Sequence, residues 1–195
     1  MKNLKRETRI AGIDDGPYDR DSEETIIIAT VCRMDGYIDA VIPGSICTDG
    51  TDSSERIGDL LGSSKYIEQI RFILSDGGCL GGFNVLDIGD LSKRLSIPVI
   101  TVSDKRPDQT SFGDALRKHF SDFRDRLKII NRHEPIRIEL PDGPCYIRFA
   151  GTDLRTAEEV VRRSTIHGRI PEPVRISHMI ASACVRSGKG GDHGY

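Results

Sequence analysis

The sequence predicts a mixed α/β domain, and three observations carry that prediction. Three runs rich in β-branched residues (8–14, 25–33 and 37–47) follow one another through short connections. Strand and helix patterns then alternate, and a chain of 195 residues that is 37% hydrophobic and 30% charged has the composition of a globular protein.

The first three runs are expected to pair antiparallel, because a parallel pair needs a long crossover and the Met34-Asp35-Gly36 turn leaves no room for one. Residues 53–66 read as a helix, 69–75 (QIRFILS) as a strand, 84–95 as a helix and 97–103 (IPVITVS) as a strand, which implies parallel βαβ pairing. A charged amphipathic helix is expected over 113–131, then a hairpin over 136–149 that turns at Pro141-Asp142-Gly143-Pro144. Helices over about 153–165 and 172–186 complete a single domain spanning residues 1–186. The closing SGKGGDHGY lacks apolar periodicity, so residues 187–195 read as a disordered C-terminal tail. Three antiparallel strands followed by parallel strands with helices is the element order of a ribonuclease H-like α/β fold.

Composition narrows the classes of function. The formal net charge of −2 announces no nucleic acid by itself. Five cysteines at wide spacing, odd in number and without a Cys-x-x-Cys pair, argue against a disulfide framework and a zinc knuckle. They read as reduced thiols of a cytoplasmic protein. No signal peptide is evident at the N-terminus, and no run approaches the ~18 apolar residues of a membrane span.

Two acidic strand ends stand out. RIAGIDDGPYD closes an apolar run with Asp14 and Asp15, which a strand sends to opposite faces, so one of them is a candidate for burial. A buried carboxylate must be paired, hydrogen-bonded or bound to metal, whereas Asp-Gly-Pro is also ordinary turn chemistry. FILSDGGCLGGFN repeats the pattern at Asp76, and a first and fourth strand lying side by side would bring Asp14 and Asp76 to one divalent cation. The glycine pairs after Asp76 match neither a dinucleotide fingerprint nor a phosphate-binding P-loop. CTDGTDSSER offers a further acid from Asp49, Asp52 and Glu55, although Asp52 and Glu55 also have capping-box spacing.

Lys105 falls just past the 97–103 strand, where a cation would meet phosphate or remain a solvated loop residue. His178 shares a helical face with Val174, Ala181 and Val185, the setting of a core histidine or a site residue. Residues 117–137 hold seven Lys or Arg against three acids, a solvated face or a phosphate track.

In this order the motifs resemble the endonuclease V-like superfamily. AGIDDG is similar to that family's first aspartate motif, FILSDGG to its Leu-Val-Asp-Gly segment, and IPVITVSDK to its strand ending in lysine. GTDLRTAEEVVRR and GRIPEPVRISH look like its closing helices. The closer resemblance is to an archaeal family described as a deoxyuridine endonuclease. It implies that Asp14 and Asp76 bind Mg²⁺ or Mn²⁺, that Lys105 contacts phosphate or water, and that His178 belongs to the active site. The family's glutamate has no counterpart after IPGSIC, so Asp49 or Asp52 would take its place as a metal ligand; Ala40-Val41-Ile42 stand where the family has an aromatic wedge. The implied activity is metal-dependent endonucleolytic hydrolysis of DNA, with RNA a second possibility, near a deaminated base, deoxyuridine foremost. A catalytically idle nucleic-acid-binding module and a nucleotide phosphohydrolase are the alternatives.

Overall fold

The computed structural model describes residues 4–17 and 21–189. β1 (Arg9–Asp15), β2 (Glu24–Arg33) and β3 (Ile38–Cys47) form the expected antiparallel meander. α1 (Ser53–Gly62) leads to β4 (Ile70–Asp76), a two-residue hairpin of β5 (Cys79–Leu80) and β6 (Asn84–Val85), α2 (Ile88–Leu95) and β7 (Val99–Ser103). α3 (Gln109–His119), α4 (Phe123–Ile130), β8 (Ile136–Leu140), β9 (Gly143–Ala150), α5 (Leu154–Ser164) and α6 (Glu172–Lys189) follow.

Seven strands make one sheet in the order β3-β2-β1-β4-β7-β9-β8. β1, β4 and β7 run parallel, and the β8–β9 hairpin adds antiparallel to β7. The mixed sheet predicted from the sequence is therefore present, with the central parallel strands ending at one edge. Two apolar layers cover it. Ala11, Ile13, Ile27 and Ile73 bury against Ile57 and Leu61 of α1 and Leu91 of α2 on one face. Ile10, Leu74, Val102 and Ile147 bury against Ala157, Val160 and Val161 of α5 and Val174 of α6 on the other.

Several boundaries differ from expectation for local reasons. The 113–131 stretch is two helices, because Phe120 adopts extended backbone and Asp122 starts a second helix. The Phe120 ring lies against Phe83 and beneath the Arg126 guanidinium, 4.3 Å from its centroid, a seat that a continuous helix would not provide. α2 begins at Ile88 rather than 84, since Asn84 is pulled into the β5–β6 hairpin and the Asp87 side chain accepts from the Asp90 N–H as the cap. α1 stops at Gly62, ahead of Ser63 and Ser64. α6 runs to Lys189, into the stretch expected to be a tail; residues 190–195 lie outside the described residues.

Candidate active site

α6 crosses β1 at close range, and a glycine makes that possible. A Cβ on Gly12 would sit 2.2 Å from the Pro173 carbonyl carbon, so any side chain there would lift the helix off the sheet. Buried hydroxyls pin the contact. Thr30 Oγ1 donates to the Pro173 carbonyl at 2.6 Å, and Ser177 Oγ donates to the Gly12 carbonyl at 2.8 Å while accepting from the Thr30 N–H at 3.2 Å. The next residue, His178, is thereby set over the end of β1.

There its Nδ1 lies 2.8 Å from Asp14 Oδ2, within hydrogen-bond distance. Asp14 is 2% exposed, which settles the choice between the adjacent acids: Asp14 faces α6 and Asp15 the other side. Ile13 pairs with Ser75 in the parallel register, so the following residues, Asp14 and Asp76, are neighbours at the strand ends. Asp15 Oδ2 accepts the Gly81 N–H at 2.8 Å, tying the glycine-rich loop to the cluster.

The electrostatics follow from this crowding. Burial, then repulsion by Asp76 and Asp15, pushes the Asp14 carboxyl up to about 9. Burial and repulsion by Asp15 push Asp76 up to about 6, opposed by His178. Burial also raises Asp15. Among the described residues, no lysine or arginine is one of the groups acting on Asp14 or Asp76. This donor set, hard oxygens short of positive charge, suits a divalent cation. Among the described residues no three His, Cys, Asp or Glu side chains form a ready-made metal cage. Magnesium needs none, since it is held by one or two carboxylates, with waters and substrate phosphate filling the other positions.

The sequence-derived candidates divide accordingly. Asp14, Asp76 and His178 come together, and His178 is a surface residue, its side chain 59% exposed, rather than a core histidine. Lys105 is exposed two residues beyond β7. Its neighbour Asp104 raises Asp76 and is held by Arg169, whose Nη1 donates to the Asp104 carbonyl at 3.0 Å. Asp49 sits in left-handed backbone at φ 53°, and its Oδ1 accepts the Phe83 N–H at 2.8 Å. Its own N–H donates to the Gly81 carbonyl, so it borders the same glycine loop that contacts Asp15. Asp52 is spent elsewhere. Its oxygens accept from Cys47 N–H, Asn84 Nδ2 and Arg56 Nε, and at the start of α1 it makes no side-chain cap, contrary to the capping-box spacing. Asn84 takes over by accepting the Ser53 N–H.

The basic stretch is also less available than its composition suggested. Arg117, Arg132 and Arg137 pair with Asp114, Asp87 and Glu139, and Arg126 is buried, bound to Asp122 and to the Gly50 and Phe83 carbonyls. Lys118, Arg124 and Lys128 are the exposed cations left for a ligand. Sequence reasoning left Asp15 without a role and missed Thr30 and Ser177; the adjacency of Ser177 to His178 was the available signal.

An acidic cluster at the carboxyl ends of parallel strands, in a sheet of this order, defines a ribonuclease H-like α/β domain. The sequence profile of the family described as endonuclease dU matches residues 6–185, and the chain belongs to that family. An UPF0215 protein of Methanothermobacter thermautotrophicus is 42% identical over 183 residues, 93% of this chain and 90% of the relative. A crystal structure of an Archaeoglobus fulgidus protein superposes with a TM-score of 0.80 at 35% identity, covering 90% of this chain and 97% of that one. Endonuclease V of Ciona intestinalis, in complex with DNA containing an inosine followed by a ribo-adenosine, shares the fold at a TM-score of 0.63 and 15% identity over 92% of this chain and 87% of that one.

Proposed function

We propose that the protein is a metal-dependent endonuclease that hydrolyses DNA beside a deaminated base, deoxyuridine foremost. The observation that carries the proposal is the group of Asp14, Asp15 and Asp76, buried or half-buried at the strand ends, on which His178 but, among the described residues, no lysine or arginine acts. Family membership and a fold shared with an endonuclease solved on inosine-containing DNA support it.

In this reading Asp14 and Asp76 hold Mg²⁺ or Mn²⁺. The ion supplies charge neutralisation at the phosphate and lowers the pKa of bound water. Asp15, on the same strand end, or Asp49, at the edge of the glycine loop, completes the acidic set in preference to Asp52, whose oxygens are occupied by Cys47, Asn84 and Arg56. His178 keeps Nδ1 on Asp14 and turns its exposed ring edge outward, where Nε2 exchanges a proton with water or a departing oxygen. Lys105 contacts phosphate. The scissile strand lies across the sheet edge with Lys118, Arg124 and Lys128 as further phosphate partners.

The test is cleavage of end-labelled oligonucleotides carrying one uracil, one inosine or no lesion, with magnesium, manganese or chelator, by wild type and Asp14→Asn. Metal-dependent cuts near one lesion, absent in a folded Asp14→Asn variant, are expected. Full activity of that variant would remove Asp14 from the site, and no cleavage of DNA by the folded, metal-supplemented wild type would refute the nuclease.

A further inference from the structure

Residues 104–108, which join β7 to α3, carry Lys105 on a segment without regular structure, and one side chain from elsewhere grips it. Arg169, in the loop between α5 and α6, meets Asp104 twice. Its Nη1 donates to the Asp104 carbonyl at 3.0 Å and its Nη2 to Asp104 Oδ2 at 3.3 Å. That carbonyl belongs to the peptide group joining Asp104 to Lys105. A peptide group is planar, so holding its oxygen sets the plane from which Lys105 departs.

Arg169 is itself braced. Its Cδ lies 3.5 Å from where a Cβ on Gly143 would stand, so its stem rests on the β8–β9 turn. Gly168, just before it, donates its N–H to Asp142 Oδ2 at 2.8 Å in the same turn. Ile170, just after it, packs on the apolar layer beneath α5 and α6. α6 then starts at Glu172 and carries His178 to Asp14. Arg169 therefore joins the segment that holds Lys105 to the helix that holds His178, with the hairpin turn as a fixed support.

The Arg169 and Asp104 side chains are 36% and 43% exposed, and an ion pair that open to water contributes little to stability. Its value is directional. Two donors of one planar guanidinium on two acceptors of one residue set an orientation that a point charge on a flexible stem does not. The position matters because Val102 pairs with Asp76 across β7 and β4, so the gripped segment leaves the sheet beside that carboxylate. Resting on the nuclease reading above, in which Lys105 contacts phosphate, we propose that Arg169 is a positioning residue: by holding the Asp104 carbonyl and carboxylate together, it aims Lys105 at the phosphate beside Asp76.

The test compares wild type with Arg169→Lys, Lys105→Ala and the double variant. Lysine keeps the charge of Arg169 without its fork. Nitrogen-15 relaxation of the free protein reads the hold directly: order parameters at residues 104–106 are expected near about 0.85 in wild type and below about 0.6 in Arg169→Lys. Single-turnover cleavage of a uracil-containing oligonucleotide, at saturating metal and DNA, is expected to slow by roughly 10–100-fold in each single variant, with no further loss in the double variant and melting curves close to wild type. Wild-type order at residues 104–106 in folded Arg169→Lys overturns the proposal. So does a loss of rate that Lys105→Ala does not share, or losses that multiply in the double variant, because Arg169 would then act apart from Lys105. Should Arg169→Lys fail to fold, Asp104→Ala, which removes one of the two acceptors, decides: a slower rate that does not add to Lys105→Ala supports the proposal, and a wild-type rate or multiplied losses overturn it. The two ideas separate cleanly. Loosened residues 104–106 in Arg169→Lys beside a wild type that cleaves nothing uphold the hold on Lys105 and reject the nuclease, whereas wild-type cleavage undiminished in Arg169→Lys rejects the positioning role alone.

Discussion

Replacing Asp14 with asparagine should stabilise the metal-free protein at alkaline pH, an unusual direction for a buried polar residue. The folded pKa of Asp14 is raised from 3.8 to about 9, so this group's contribution to stability is intact below about pH 4 and is lost progressively as the pH rises toward 9. Taken alone, that shift is a penalty of about 4 kcal/mol at pH 7, an upper figure because Asp15 and Asp76 share the titration. Asparagine never ionises and escapes the penalty. It keeps one oxygen for the bonds now made with His178 Nδ1 and the Asp15 N–H, and loses about 1 kcal/mol for the partner it cannot serve. The net expectation is a gain of about 1–3 kcal/mol near pH 8, or roughly 3–9 °C in Tm for a domain of this size, turning to a small loss near pH 4. Thermal or urea unfolding in chelator at the two pH values reads it directly. A variant less stable than wild type near pH 8, or a difference that ignores pH, would refute the assigned burial and crowding. Added magnesium should reverse the order by stabilising wild type far more than the variant.

Asp76→Asn should abolish metal-dependent cleavage and, with its pKa raised to about 6, flatten the fall in metal-free stability between about pH 4 and pH 6; unfolding curves across that window check it. His178→Ala should cost under about 1 kcal/mol of stability, its ring being mostly exposed, yet slow cleavage by about 100-fold or more, which single-turnover rates beside melting curves would show. Gly12→Ala should lower stability by at least about 2 kcal/mol and reduce cleavage with it, because the clash is with Pro173 backbone; an unchanged Tm would contradict the seating of α6 on β1.

The sequence by itself determined the sheet and two of its acids. β-branched runs with short turns can pair only as an antiparallel meander, strand–helix alternation forces parallel neighbours, and an apolar run ending in aspartate places that carboxylate at a strand end. The resemblance to a known family added His178, which helical periodicity alone would have left in the core. Tertiary structure decided the rest. Whether Asp14 or Asp15 is buried depends on which face α6 covers, and that depends on a glycine and two hydroxyls 143 to 165 residues away in sequence from their partners. Asp52 looked like a ligand or a cap until Asn84 and the Cys47 N–H claimed its oxygens across the β3–β6 junction. Contacts such as the Asn84 bond join positions far apart in the chain, and no spacing of residues along it can express them.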